Sequence, residues 1–255
     1  MKKPNILLTN DDGIFAPGLY ALYLALREIA EVTVVAPDSE KSAVGHAITI
    51  SDPLRVTEFE KNGEIFGHAV KGTPADCVKL AYFALLPQKP DMVVSGINYG
   101  SNTGINVIYS GTVSAATEGT VLGLPSFAIS LTTFKDADFT YAAKFGAYLA
   151  GKILEQGLPR GTFLNVNVPN LPEAEIRGVA ITRMGNAMYD DKYDKRIDPR
   201  HRVYYWLTGS KAELNEGLET DDGAIEQNMV SVTPLHFDLT KQDFLQNLQA
   251  WQLQK

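Results

Sequence analysis

The sequence predicts an α/β fold, a mostly parallel sheet flanked by helices. Two observations carry this reading. Short continuous apolar runs recur at residues 6–8, 32–36, 92–95, 126–130 and 163–168, as strands buried on both faces do. Between them lie longer stretches with helical spacing, the clearest at Leu19, Leu22, Tyr23, Leu26 and Ile29. Strand, helix and strand within the first 36 residues make a βαβ unit, for which a right-handed crossover is expected.

The first run ends in Asn10-Asp11-Asp12-Gly13, so the chain turns there. Pro17 suits the start of the first helix. A polar loop, residues 37–46, follows the second strand. Residues 47–50, 55–58 and 65–70 read as short strands of a small appended ribbon, with Lys61-Asn62-Gly63-Glu64 as a hairpin turn. Thr73, Pro74 and Asp76 stand at N-cap, N1 and N3 of a helix running to about residue 86. Cys77 inside it reads as a small buried residue. Residues 96–104 read as a glycine-rich loop, residues 113–122 as a small-residue helix and residues 139–154 as a long one.

The pattern changes near Gly185. Residues 190–202 are dense in charge and tyrosine and read as a loop or an extended arm. Residues 203–207 and 229–233 are expected strands, and residues 244–253 a last helix. Asp221-Asp222-Gly223 repeats the earlier letters without a strong strand before it, and reads as a solvated turn. The expected division is residues 1–183 as the main domain and 184–255 as an extension within the same structural unit, completed by a second copy of the chain.

Composition excludes several classes. Of 255 residues, 45% are hydrophobic and 21% charged, the balance of a globular protein. A net charge of −7 argues against a sequence-independent binder of large nucleic acids. Cys77 is the only cysteine, and the four histidines have no zinc spacing. No run reaches transmembrane length and no leader pattern is visible, so a cytoplasmic setting without a membrane partner is the expectation.

Parallel topology brings Asp11 and Asp12, the loop with Ser42 and the loop with Asn98 to one sheet edge, where ligands bind in open α/β sheets. Two carboxylates, a hydroxyl and an amide are oxygen donors suited to Mg²⁺ or Mn²⁺. The glycine-rich loop and the helix opened by Ser110-Gly111-Thr112 offer backbone N–H groups to an anion beside such a metal.

The motifs Asn10-Asp11-Asp12-Gly13, Ser42-Ala43-Val44-Gly45-His46, Gly72-Thr73-Pro74-Ala75-Asp76, Ser95-Gly96-Ile97-Asn98 and Tyr109-Ser110-Gly111-Thr112-Val113 together resemble the SurE family of 5'/3'-nucleotidases. The resemblance covers about residues 5 to 130. It is weaker at Asn165-Val166-Asn167-Val168-Pro169 and at Val232-Thr233-Pro234-Leu235. It implies a Rossmann-like fold with a C-terminal region exchanged between subunits of a homodimer or homotetramer. It implies one divalent cation per subunit, held by Asp11, Asp12, Ser42 and Asn98. It also implies hydrolysis of nucleoside monophosphates and, in some members, of short polyphosphate.

On that reading Asn98, Gly45, His46, Ser110, Gly111 and Thr112 contact phosphate, and Asp12 or Asp11 serves catalysis. His46 either meets the phosphate or leaving group or is a loop histidine bonded to backbone. Two rivals are a phosphatase with an aspartyl-phosphate intermediate, whose Asp-x-Asp arrangement is absent, and a Mg²⁺- or nucleotide-binding receiver-like module without turnover.

Overall fold

The computed structural model describes residues 3–187, 189–211, 216–251 and 253. The chain opens with β1 (Asn5–Thr9), α1 (Pro17–Leu26) and β2 (Glu31–Pro37), the expected βαβ unit with parallel strands. Pro17 does stand in the first turn of α1. The chain continues through β3 (Val56–Lys61), β4 (Glu64–Val70) and α2 (Pro74–Leu80) to β5 (Met92–Tyr99). A 3₁₀ turn (Gly104–Tyr109) then leads into α3 (Gly111–Val121), β6 (Ser126–Leu131), α4 (Thr140–Gln156) and β7 (Thr162–Val168). The last part holds β8 (Val179–Ile181), β9 (Tyr189–Ile197), β10 (Val203–Lys211), α5 (Asp221–Glu226), β11 (Val230–His236) and α6 (Leu245–Gln249).

Nine strands form one sheet among the described residues, in the order β3-β4-β2-β1-β5-β6-β7-β11-β8. The central pairs from β4 to β7 are parallel, while β3 and β11 run against β4 and β7. The period of two along a strand splits the core into two layers. Ile6, Leu8, Val34, Met92 and Val94 face α1 and α4. The intervening Leu7, Val35 and Val93 face the other way, with Cys77 and Val78 of α2 and Ala115 of α3. Cys77 is fully buried as expected, and burial pushes its thiol well above the ordinary range.

Several expectations need correction. Residues 47–50 form no strand. Their polar groups are taken by the start of α2: Thr49 donates its N–H and hydroxyl to Asp76, and the Ala47 carbonyl accepts from Thr73. The hairpin of β3 and β4 is not an appended ribbon, because β4 pairs in parallel with β2 at the sheet edge. The small antiparallel ribbon is instead β9 with β10, an extended arm carrying exposed Tyr193, Tyr205, Trp206 and Leu207. β5 continues through Asn98 to Tyr99, pairing with Ser130 and Leu131 after a register shift, so the loop starts later than its glycines suggest.

The last helix is a 3₁₀ turn (Gln242–Phe244) followed by α6, and residue 252 lies outside the described residues. β11 sits inside the sheet between β7 and β8. No helix among the described residues is long and apolar enough to cross a membrane.

Helix α1 crosses β5 closely at Gly18. A Cβ built there would run into the Ile97 carbonyl oxygen, a backbone atom that cannot step aside. Gly18→Ala is therefore expected to cost about 1–3 kcal/mol in urea unfolding, as overpacking does. An unchanged unfolding midpoint would contradict this contact.

Candidate active site

The turn after β1 is fixed by Asn10, whose side-chain amide donates to the Gly13 carbonyl oxygen at 2.9 Å. This leaves Asp11 and Asp12 at the carboxyl edge of the sheet, between the ends of β2 and β5. Lys41 N–H donates to the Asp11 carbonyl oxygen at 2.7 Å and ties the following loop, with Ser42, to the turn. Tyr99 N–H donates to Asp12 Oδ2 at 3.1 Å and ties in the end of β5, with Asn98.

Helix α3 completes the site. Ser110 caps it, its hydroxyl oxygen accepting from Val113 N–H at 3.1 Å. The Thr112 hydroxyl donates to Asp11 Oδ1. Gly111 permits this approach: a Cβ there would stand 2.7 Å from the Asp11 Cβ and 2.9 Å from Oδ2. The positive end of an eleven-residue helix thus rests against a buried carboxylate, the arrangement its dipole favours.

Burial dominates the electrostatics of the pair. Asp11 is 4% exposed, and burial raises its pKa despite the Thr112 bond that favours the charged form. Burial and the Asp11 charge push Asp12 up to about 7, against the Tyr99 bond that lowers it. No basic side chain forms an ion pair with either carboxylate among the described residues.

Such a pair fits a hard cation, which would relieve the repulsion and favour both charged forms. Asn98 donates its amide nitrogen to the Gly100 carbonyl at 2.7 Å, which leaves Oδ1 as a donor oxygen toward a metal. Ser42 is exposed and bonds Glu40 at 2.6 Å. No three His, Cys, Asp or Glu side chains cluster in a way that could hold a metal among the described residues, so neutral oxygens must complete any such set.

Asp11, Asp12, Asn98 and Thr112 are joined directly or through one neighbouring residue. Gly45 N–H reaches the Tyr109 carbonyl at 3.1 Å and brings its loop to the foot of α3. His46 bonds a side chain and not the backbone. Its Nε2 lies 2.8 Å from Glu118 Oε2, and Lys79 reaches Oε1 of the same carboxylate at 2.7 Å. Glu118 is 3% exposed; burial opposes its charge, but the His46 and Lys79 bonds outweigh it and lower the pKa. Glu118 is the only charged residue of α3, a signal that sequence reasoning passed over.

Two further supports were not anticipated. Asn167 Oδ1 accepts from Asn102 N–H, and Asn165 and Asn167 donate to the Asn102 carbonyl, so β7 grips the loop from below. Polar residues at alternate positions of an otherwise apolar strand were the available sign. Asp221 corrects the expectation of a solvated turn. It opens α5 fully buried, with Oδ2 accepting from Gly104 N–H at 2.9 Å and Oδ1 from Gly185 N–H at 2.8 Å. The base of the β9–β10 arm is thereby bonded to the loop that leads into Ser110.

Fold and site first define a class: an α/β protein with a cation-compatible carboxylate pair and a helix N-terminus at the carboxyl edge of its parallel sheet. The profile of the family described as Survival protein SurE matches residues 6–191, so the chain belongs to the SurE family. A 5'-nucleotidase SurE from Syntrophobacter fumaroxidans is 54% identical over 248 residues, covering 97% of this chain and 99% of the relative. Another, from Moorella thermoacetica, is 52% identical and covers 96% of this chain and 95% of its own. The crystal structure of the Sure protein from Aquifex aeolicus superposes with a TM-score of 0.86 at 42% identity, covering 98% and 100% of the two chains.

Two tests follow from this geometry. Asp12 holds its proton up to about pH 7 in the folded chain, and only to about 3.8 in the unfolded one. The folded state then binds the extra proton between these values, so this group's contribution to stability falls as pH rises through that window. In chelator, Asp12→Asn is expected to be more stable than the parent at pH 8, with the advantage vanishing towards pH 4. Thermal unfolding at both pH values checks this, and an advantage independent of pH would refute it.

Asp221→Ala leaves the N–H groups of Gly104 and Gly185 without their acceptor. A loss of about 2–4 kcal/mol is expected, with faster amide exchange at both glycines. Unchanged exchange at Gly104 would show that the clamp does not hold the loop.

Proposed function

We propose that this chain is a divalent-metal-dependent 5'-nucleotidase, hydrolysing nucleoside monophosphates to nucleoside and phosphate. The observation that carries this reading is the Asp11–Asp12 pair, Asp11 buried and Asp12 half-buried, set without a basic partner among the described residues against the N-terminus of α3. The name 5'-nucleotidase SurE, borne by relatives that match nearly the whole chain, supports the same activity. The proposal extends to nucleoside 3'-monophosphates and short polyphosphate, to one Mg²⁺ or Mn²⁺ per subunit, and to a cytoplasmic homodimer or homotetramer joined through residues 184–255.

Asp11, Asp12, Asn98 and Ser42 would hold the metal, which supplies Lewis-acid polarisation of the phosphate and lowers the pKa of a water. Asn98, Ser110, Gly111 and Thr112 seat the phosphate, using the helix dipole and the N–H groups that lack acceptors within the helix. Gly45 and His46 close the site from the loop side, with Glu118 orienting the imidazole so that Nδ1 is left for substrate. Asp12 is the group that would orient the attacking water or take a proton from it. The new P–O bond forms to that water, the ester P–O bond breaks, and the leaving ribose oxygen takes a proton.

The test is phosphate release from nucleoside 5'- and 3'-monophosphates and tripolyphosphate, in chelator and then with Mg²⁺, Mn²⁺ or Zn²⁺ restored. Metal-dependent release is expected, reduced about a hundredfold or more in Asp11→Asn, as loss of one preorganised charged group does. Folded, metal-binding protein that releases no phosphate would instead favour a binding module without turnover.

A further inference from the structure

A second cluster of like charges borders the site, of the opposite sign. Lys41, Arg55 and Lys71 line one cavity of about 400 Å³, together with Thr49, Thr73 and Asp52. Lys71 follows β4 and Arg55 precedes β3, and Lys71 N–H donates to the Arg55 carbonyl at 2.9 Å. The two cations therefore stand side by side at the open end of the hairpin, where like charges destabilise a sheet.

No acidic side chain forms an ion pair with any of the three among the described residues. Lys41 Nζ donates to the neutral Ser39 hydroxyl at 3.1 Å. Asp52 is the one carboxylate on the wall, set against three cations. The Thr49 and Thr73 hydroxyls already donate to Asp76 and to the Ala47 carbonyl, so the donors left for a ligand are cationic. No aromatic ring lines the cavity, which argues against a nucleobase as occupant. In a chain of net charge −7 such a gathering of cations is a local feature.

The cavity adjoins the candidate active site through Lys41, which lines it and whose backbone N–H is bonded to the Asp11 carbonyl. Like that site, it lies at the carboxyl edge of the sheet, beyond the ends of β2 and β4.

We propose that this cavity is a second phosphate subsite, taking a phosphate group other than the one hydrolysed. It deepens the proposed nucleotidase reading, on which it rests only for the identity of the cleaved phosphate. The occupant is the distal phosphate of a doubly phosphorylated nucleotide or free inorganic phosphate; both present the same doubly charged oxygen cluster to Lys and Arg.

The test compares the full chain with the Arg55→Gln/Lys71→Gln double variant, which leaves Lys41 and the catalytic edge untouched. Binding of adenosine 5'-monophosphate, adenosine 3',5'-bisphosphate and inorganic phosphate is measured by calorimetry in chelator, where turnover is absent. KM values for the two nucleotides are then measured with metal restored. The bisphosphate is expected to bind about tenfold tighter than the monophosphate, on the scale of one charge-assisted contact. The double variant should lose that advantage while its turnover of the monophosphate stays unchanged.

Equal affinity for the two nucleotides, with inorganic phosphate binding that the double variant abolishes, would support the subsite with free phosphate as its occupant. Binding of all three probes that is unaffected by the double variant would overturn the inference. Phosphate binding that depends on Arg55 and Lys71, in a protein with no turnover of any nucleotide, would uphold the subsite and remove the nucleotidase reading alone.

Discussion

The candidate site depends on one contact, the meeting of Asp11 with the first turn of α3. A buried carboxylate needs compensation, and here it comes from the Thr112 hydroxyl and the helix N-terminus. The contact fixes where α3 begins relative to β1. It leaves Asp12 between that helix and the end of β5, raised toward neutrality by burial and by its neighbour's charge. The other bonds of the site serve this geometry: Lys41 and Tyr99 pin the two flanking segments to the same turn.

Polar clamps hold the loop between β5 and α3. Asn165 and Asn167 hold it from the sheet, and Asp221 holds it from the C-terminal part of the chain. These groups are buried, so each bond made there avoids the cost of an unpaired donor. The consequence is structural continuity between the arm of β9 and β10 and the approach to Ser110. The segment after Gly185 is therefore bonded to the candidate site and not merely attached to the domain.

Much of the fold was legible in the sequence because its strands are buried on both faces and its helices on one. Both patterns survive in a single chain read without contacts. The capped start of α2 was legible for a local reason, since Thr73 and Asp76 satisfy each other's backbone within one turn. Residues 47–50 misled because β-branched residues suggest a strand, while Asp76, far along the chain, had already taken their hydrogen bonds. Asp221 misled for the same kind of reason. Asp-Asp-Gly is a turn by local preference, and only its distant partners, Gly104 and Gly185, make it a buried clamp.

By itself the sequence determined the parallel α/β plan, the acidic pair after β1 and the capped start of α3, because periodicity and local capping are short-range properties. Tertiary structure alone decided that Glu118 binds His46 and Lys79, that β4 joins the main sheet, and that Arg55 and Lys71 meet across a hairpin. Those outcomes depend on which surfaces come together when the sheet closes around its core, and residues far apart in sequence carry no mark of the burial they will share.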